Sequence, residues 1–136
     1  MQLTPYLFFN GDCAAALELY EQCLGARIVV KMTYAEAPMA DQMPAEMRDK
    51  VMHFQMEIDG NTVMGGDAPS HLFHKPQGFY IAIRTAEVAQ AERIFASLSE
   101  GGTVREAMNE TFFAHRFGML IDRHGTPWMV LCQKQP

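Results

Sequence analysis

The sequence predicts an α+β fold built from two tandem βαβββ modules, and two observations carry the prediction. The first is repetition. Residues 54–59 read Phe-Gln-Met-Glu-Ile-Asp and residues 117–122 read Phe-Gly-Met-Leu-Ile-Asp. Upstream, the stretches from Cys13 to Val29 and from Val88 to Val104 align at a constant offset, with Leu19 meeting Ile94 and Tyr20 meeting Phe95. Chance likeness between two amphipathic helices and two hairpins is the competing explanation. The second observation is the order of periodicities: each half runs strand, helix, strand, strand, strand. Two such half-sheets placed side by side make a cleft, and clefts bind ligands.

The elements follow in order. Tyr6 to Phe9 is a short apolar strand. Asn10-Gly11-Asp12 supplies a turn and an N-cap for a helix from Cys13 to Leu24. Its apolar residues Ala16, Leu19, Tyr20, Cys23 and Leu24 fall on one face, and Gly25 stands where a helix-ending glycine belongs. Strands follow at Arg27–Tyr34, Val51–Asp59 and Thr62–Gly66. Between them, Glu36 to Lys50 reads as a loop with a short helix near Pro44–Asp49. Met39, Met43 and Met47 make it either a Met-lined lid or a plain surface excursion. The second half begins with a strand at Phe79–Ile83. Thr85 is placed to cap a helix with the stripe Val88, Ala91, Phe95 and Leu98, which ends at Gly101-Gly102. Strands then fall near Thr103–Met108, Phe117–Asp122 and Trp128–Cys132. The expected organisation is one domain, 1–136, with module 1 at about 1–68, a linker at 69–77 and module 2 at about 78–136. His71 and His74 in the linker lack further ligands nearby and read as solvated.

Bulk properties narrow the function. The 136 residues are 49% apolar and 20% charged, with net charge −5, a soluble globular balance for one sizeable core. Basic residues are scattered, so neither nucleic acid nor a membrane surface is an expected partner. No run approaches the ~18 apolar residues of a membrane span. The start of the chain lacks the pattern of a secretory leader. Cys13, Cys23 and Cys132 are odd in number and lack CxxC spacing, which points to a reduced, cytoplasmic protein. Methionine is the outlier, at 11 residues. It suits either a flexible core or a pliable binding cavity.

Several motifs resemble a known family. These are Pro5-Tyr6, Leu19-Tyr20, Leu24-Gly25-Ala26, Asp49-Lys50-Val51-Met52-His53, the run from Glu110 to Gly118, and then Asp122, Gly125, Pro127 and Trp128. Together they resemble the vicinal oxygen chelate superfamily of glyoxalases, extradiol dioxygenases and antibiotic-resistance proteins, and within it the PhnB-like branch. Sequences of that branch often carry the label demethylubiquinone methyltransferase. No glycine-rich strand-to-helix loop supports a nucleotide or S-adenosylmethionine site here. The resemblance implies curved sheets forming a barrel-like mixed sheet with helices outside, a small-molecule ligand and a homodimer. Metal-dependent members hold a divalent ion with four side chains, two per module. Register carries those positions to Pro5, Met64, Phe79 and Met129, none of which offers a hard ion an oxygen or imidazole ligand. No metal and no cofactor is therefore expected.

Strand alternation gives an independent reading of the cleft. Met52, Phe54, Met56 and Ile58 form an apolar face expected under a helix. His53 and Gln55 then face the cleft, as do Phe79, Ile81 and Ile83 on the fifth strand and Met129 and Leu131 on the eighth. The expected ligand-contacting residues are Leu7, Phe9, Gln55, Met64, Asp67, Phe79, Phe112, Arg116 and Met129. His53 is either satisfied by a strand neighbour or an acid/base group, since imidazole titrates near neutrality. Glu110 and His115 are either a second acid/base pair or an exposed carboxylate and a structural histidine. Arg116 either anchors an anion or pairs with Asp122 or Asp41. Trp128 is expected beneath a helix. Two functions follow: metal-independent binding of a small, partly apolar molecule, or acid/base catalysis on a carbonyl compound through His53, Glu110 or His115. A relocated metal site among His53, Asp67, Glu110 and His115 is a variant of the second.

Overall fold

Alternating burial along short strands, and one buried stripe on each of two helices, divide the chain into two copies of one arrangement. The computed structural model describes residues 1–135, and the chain separates into two compact units between His74 and Lys75. That boundary falls inside the segment expected as linker.

The first unit contains β1 (Tyr6–Phe9), α1 (Cys13–Leu24), β2 (Arg27–Thr33), β3 (Val51–Ile58) and β4 (Asn61–Asp67). Its four strands form one sheet in the order β1-β4-β3-β2. β1 runs parallel to β4, with Tyr6 opposite Met64 and Leu7 opposite Gly65. The β2–β3 and β3–β4 pairs are antiparallel, so the sheet is mixed. Ala16, Leu19 and Tyr20 of α1 are buried with Leu7, Phe9, Phe54 and Met56, which forms the core. The β3–β4 hairpin turns on Asp59 and Gly60, whose φ angles of 48° and 82° are both positive. An Asp-Gly pair is the usual chemistry of that two-residue turn.

The helix cap differs from expectation. The Cys13 N–H donates to the carboxylate of Asp67, at the far end of β4, over 3.0 Å. Segment 34–50 is also built differently from one short helix. It holds three single 3₁₀ turns, Tyr34–Glu36, Ala40–Gln42 and Ala45–Met47. Its base is fastened where the Tyr34 hydroxyl donates to the Asp67 carbonyl at 2.7 Å.

The second unit contains β5 (Ile81–Arg84), α2 (Val88–Ser99), β6 (Thr103–Asn109), β7 (Ala114–Ile121) and β8 (Pro127–Gln133). The sheet order β5-β8-β7-β6 repeats that of the first unit, again with a parallel β5–β8 pair. α2 buries Ala91, Ile94, Phe95 and Leu98, while Val88 is exposed. Thr85 does not cap α2: its hydroxyl donates to the Glu87 carbonyl at 3.0 Å. Among the described residues, no helix is long and apolar enough to cross a membrane.

The repeated hexapeptide does not occupy equivalent positions. In the first unit Phe54 and Met56 are fully buried on the helix side of their sheet. In the second, a Cβ at Gly118 would lie 2.6 Å from the Phe95 ring of α2, so Gly118 holds the helix-side position. Phe117 and Met119 therefore point the other way. The modules repeat, but this six-residue match is one residue out of phase with the repeat.

Candidate functional site

The sheet face of the first unit that points away from α1 gathers the most chemistry. Alternation places Tyr6 and Phe8 of β1, Met64 of β4, and His53 and Gln55 of β3 on it. The register confirms the row: Met64 pairs with both Tyr6 and Gln55, and Gln55 pairs with Val30 of β2. Tyr6 Oη and His53 Nδ1 share a hydrogen bond of 3.1 Å. Their rings stack with centroids 5.8 Å apart, and the Phe8 ring lies 5.1 Å from that of Tyr6. Large apolar groups stay in solvent here: Phe8 is 51% exposed, and Tyr6, Val30 and Met32 are also exposed. Burial, and secondarily the Cys13 thiol, push the Tyr6 phenol above its ordinary range, so it remains a proton donor at neutral pH. His53, Gln55 and Met64, expected at a ligand, lie on this face. Tyr6 and Phe8 were missed.

Three expected contacts in this unit are corrected. Leu7 and Phe9 point to the helix side, 6% and 1% exposed. Phe9 packs with its ring centroid 6.5 Å from Tyr20 and 6.4 Å from Phe54. Asp67 is 1% exposed and belongs to the core. One carboxylate oxygen accepts from Gly11 and Cys13 N–H at 2.9 and 3.0 Å, and the other from Val51 N–H at 3.0 Å. Three backbone donors converge on it, and through them it fastens the β1–α1 turn and the start of β3 to β4. Burial, and then the charge of Asp67, drive the thiol of Cys13 well above its ordinary range. A thiol held protonated is a poor nucleophile.

The second unit distributes its candidates over different surroundings. Met129 pairs with Ala82 and Met119 on the face away from α2, where it was expected, and Leu131 shares that face. Ile81 and Ile83 do not: they pair with the buried Trp128 and Val130 on the helix side. Trp128 lies there as expected, and its indole N–H donates to Asp122 at 2.8 Å. Phe79 precedes β5 and is exposed. Arg116 is paired with Glu92 of α2 by a short hydrogen-bonded ion pair, which ties β7 to α2. Glu110 bonds Lys134 at 2.9 Å. That bond and the Lys134 charge hold its carboxyl below the ordinary range, with smaller help from His115 and Arg116. Glu110 is consequently an ionised carboxylate at neutral pH and a poor proton donor. His115 is exposed on β7. Phe112 is 93% exposed in the β6–β7 connection.

On the faces away from the helices, β1 and β4 bring Tyr6 opposite Met64, and β5 and β8 bring Ala82 opposite Met129. Neither a phenol with a thioether nor a methyl with a thioether makes a site for a hard divalent ion. The phenol is already bonded to His53. Among the described residues, no three His, Cys, Asp or Glu cluster as a ligand group.

Two mixed four-stranded sheets, each with its own helix, define an α+β protein of the glyoxalase fold. A glyoxylase/bleomycin resistance protein/dioxygenase domain from Frankia sp. EAN1pec has that fold, with TM-score 0.65 over 98% of this chain and 99% of that one at 9% identity. The chain belongs to the family described as 3-demethylubiquinone-9 3-methyltransferase, whose model matches residues 1–131. It is 33% identical to Protein YjdN of Escherichia coli K12, over 99% of this chain and 97% of that one. It is 34% identical to the solved protein PA1353 of Pseudomonas aeruginosa, with TM-score 0.89 and 99% of each chain covered.

Proposed function

We propose that this chain is a metal-independent small-molecule binding protein, with a partly apolar ligand seated on the open face of its first sheet. The observation that carries the reading is the exposed cluster of Tyr6, Phe8, Val30 and Met32 beside the polar groups of His53 and Gln55. An apolar surface with a few convergent polar groups is the composition of a ligand site, and large apolar groups held in water mark an interaction surface. The donor chemistry of the Tyr6–Met64 and Ala82–Met129 pairs supports a site that works without an ion.

A second reading is favoured by one contact. The Tyr6–His53 hydrogen bond pairs a protonated phenol with an imidazole, and such a pair can polarise a carbonyl and accept a proton from the neighbouring carbon. That would make the same face an acid/base site for a carbonyl compound. Methyl transfer, the reaction in the family's description, has less support. The β1–α1 turn has a single glycine, and the Asp67 carboxylate already fills the start of α1. A cytoplasmic location and a homodimer belong to the same proposal. The three cysteines are present as thiols, which fits a reducing compartment.

Thermal-shift screening with small ketones and quinones tests the reading, because a ligand of the native state raises the melting temperature. At least one compound should stabilise the wild type, and Tyr6→Ala and His53→Ala should each abolish its effect. Shifts unchanged in both variants would move the ligand off this face. For the second reading, His53→Ala should lose turnover of a bound carbonyl compound while keeping the fold, and an unaltered rate would remove His53 from the chemistry.

A further inference from the structure

The second unit contains a cavity that the proposed site does not use. It has a volume of about 620 Å³ and lies among the β5–α2 connection, the β6–β7 connection and the residues that end and follow β8. Its size falls in the range of cavities that hold small organic molecules. We infer that it is a separate binding site for a small aromatic anion, held between the Phe112–Phe113 pair and the ammonium of Lys134.

The walls are fixed by backbone bonds. Lys134 N–H donates to the Phe113 carbonyl at 2.9 Å, and Thr85 N–H donates to the Leu131 carbonyl at 2.9 Å. Thr111 Oγ1 accepts from the N–H groups of Phe113 and Ala114 at 3.3 and 3.0 Å. The first bond ties the β6–β7 connection to the residue after β8, the second ties the end of β5 to β8, and the Thr111 bonds set the turn within the connection. Phe112 and Phe113 present rings 5.2 Å apart at an interplanar angle of 76°, and Phe113 is braced edge-on against Phe117 at 5.4 Å. The Phe112 ring is almost wholly in solvent, so a ligand ring placed against it removes apolar surface from water and gains an aromatic contact.

The charge of the lining selects the rest of the ligand. Lys134 is the charged member of the lining, and its ammonium bonds Glu110 at 2.9 Å, so an anion bound here shares the ammonium with that carboxylate. An ammonium has three donors, and Glu110 accounts for one. Gln133 and Gln135 also line the pocket and carry amide groups that can donate to a carboxylate. Ring on one wall and cation with amides on the other describe an aromatic carboxylate of one or two rings. The open face of the first sheet differs: Tyr6, Phe8, His53, Gln55 and Met64 include no permanent cation. The two sites can therefore succeed or fail independently.

The test is a titration of the full ¹⁵N-labelled chain with 1-naphthoate, followed by amide NMR. Saturable shifts are expected at Thr85, Phe112, Phe113 and Gln133 to Gln135. Phe112→Ala and Lys134→Gln should each weaken binding at least tenfold. Neither change threatens the fold, since one ring is exposed and the other residue's ion pair lies at the surface. Cyclohexanecarboxylate and 1-naphthalenemethanol, which lack the aromatic ring and the charge respectively, should bind at least tenfold more weakly. Shifts confined to Tyr6 and His53, unchanged affinity in both variants, or equal binding of the neutral alcohol would overturn the inference.

Discussion

Asp67 shows how a single side chain can look functional in a sequence and prove structural. A carboxylate just after an apolar strand invites a ligand role, because sequence alone does not reveal the three N–H groups converging on it. Leaving a buried donor unsatisfied costs roughly 1–3 kcal/mol. Asp67→Ala abandons three, so a stability loss of at least ~3 kcal/mol is expected in urea denaturation. A loss below ~1 kcal/mol would contradict this role. The reversal of Leu7 and Phe9 has another cause. The run Tyr-Leu-Phe-Phe is apolar on both faces, so no polar alternation chooses the side that packs on α1. Tyr6 and Phe8 were hidden by the same ambiguity. His53 and Gln55 were legible because their neighbours Met52, Phe54 and Met56 are apolar on the alternate face. The partners of Arg116 and Glu110, namely Glu92 and Lys134, are 24 residues away in each case. No local spacing rule marks contacts at that distance.

The elements were far easier to read than their faces. Helix spans follow from the stripes that α1 and α2 bury, and both helices were expected close to their observed bounds. The repeated hexapeptide misled about equivalence because strand geometry has a period of two, and a one-residue offset exchanges every side chain between faces. The close helix–sheet approach at Gly118 and the tight strand packing at Gly65 are the physical reasons those positions lack side chains. A Cβ at Gly118 would press on the Phe95 ring at 2.6 Å and the Met108 sulfur at 2.8 Å. At Gly65 it would meet the Leu7 carbonyl oxygen at 2.2 Å. Gly118→Ala should therefore cost about 1–3 kcal/mol, typical of an overpacked core. Gly65→Ala should cost more, because the obstacle is backbone and cannot rotate away. The denaturation midpoints of the two variants check the order, and a reversed order would count against the packing account.

At the scale of the molecule, two βαβββ units were recoverable from repetition and periodicity, and the family membership agrees with the motifs that carried the resemblance. What sequence left open was chemistry. Both the binding and the acid/base readings fit the same residues, and a fold shared by many activities does not choose between them. The Tyr6–Met64 and Ala82–Met129 pairs do make one prediction. Protein purified without chelators should carry less than stoichiometric zinc, nickel, manganese or iron by elemental analysis. One equivalent of any of these, released together with bound ligand, would replace the metal-independent reading.

The parallel pairing of β1 with β4 also has a consequence in time. The β3–β4 hairpin closes across a two-residue turn, whereas Tyr6 must find Met64 from the far end of the unit. Short loops close sooner than long ones. Folding of this unit should accordingly nucleate at Asp59-Gly60, with the amino-terminal strand docking late and the Asp67 bonds to Gly11 and Cys13 clasping it as it arrives.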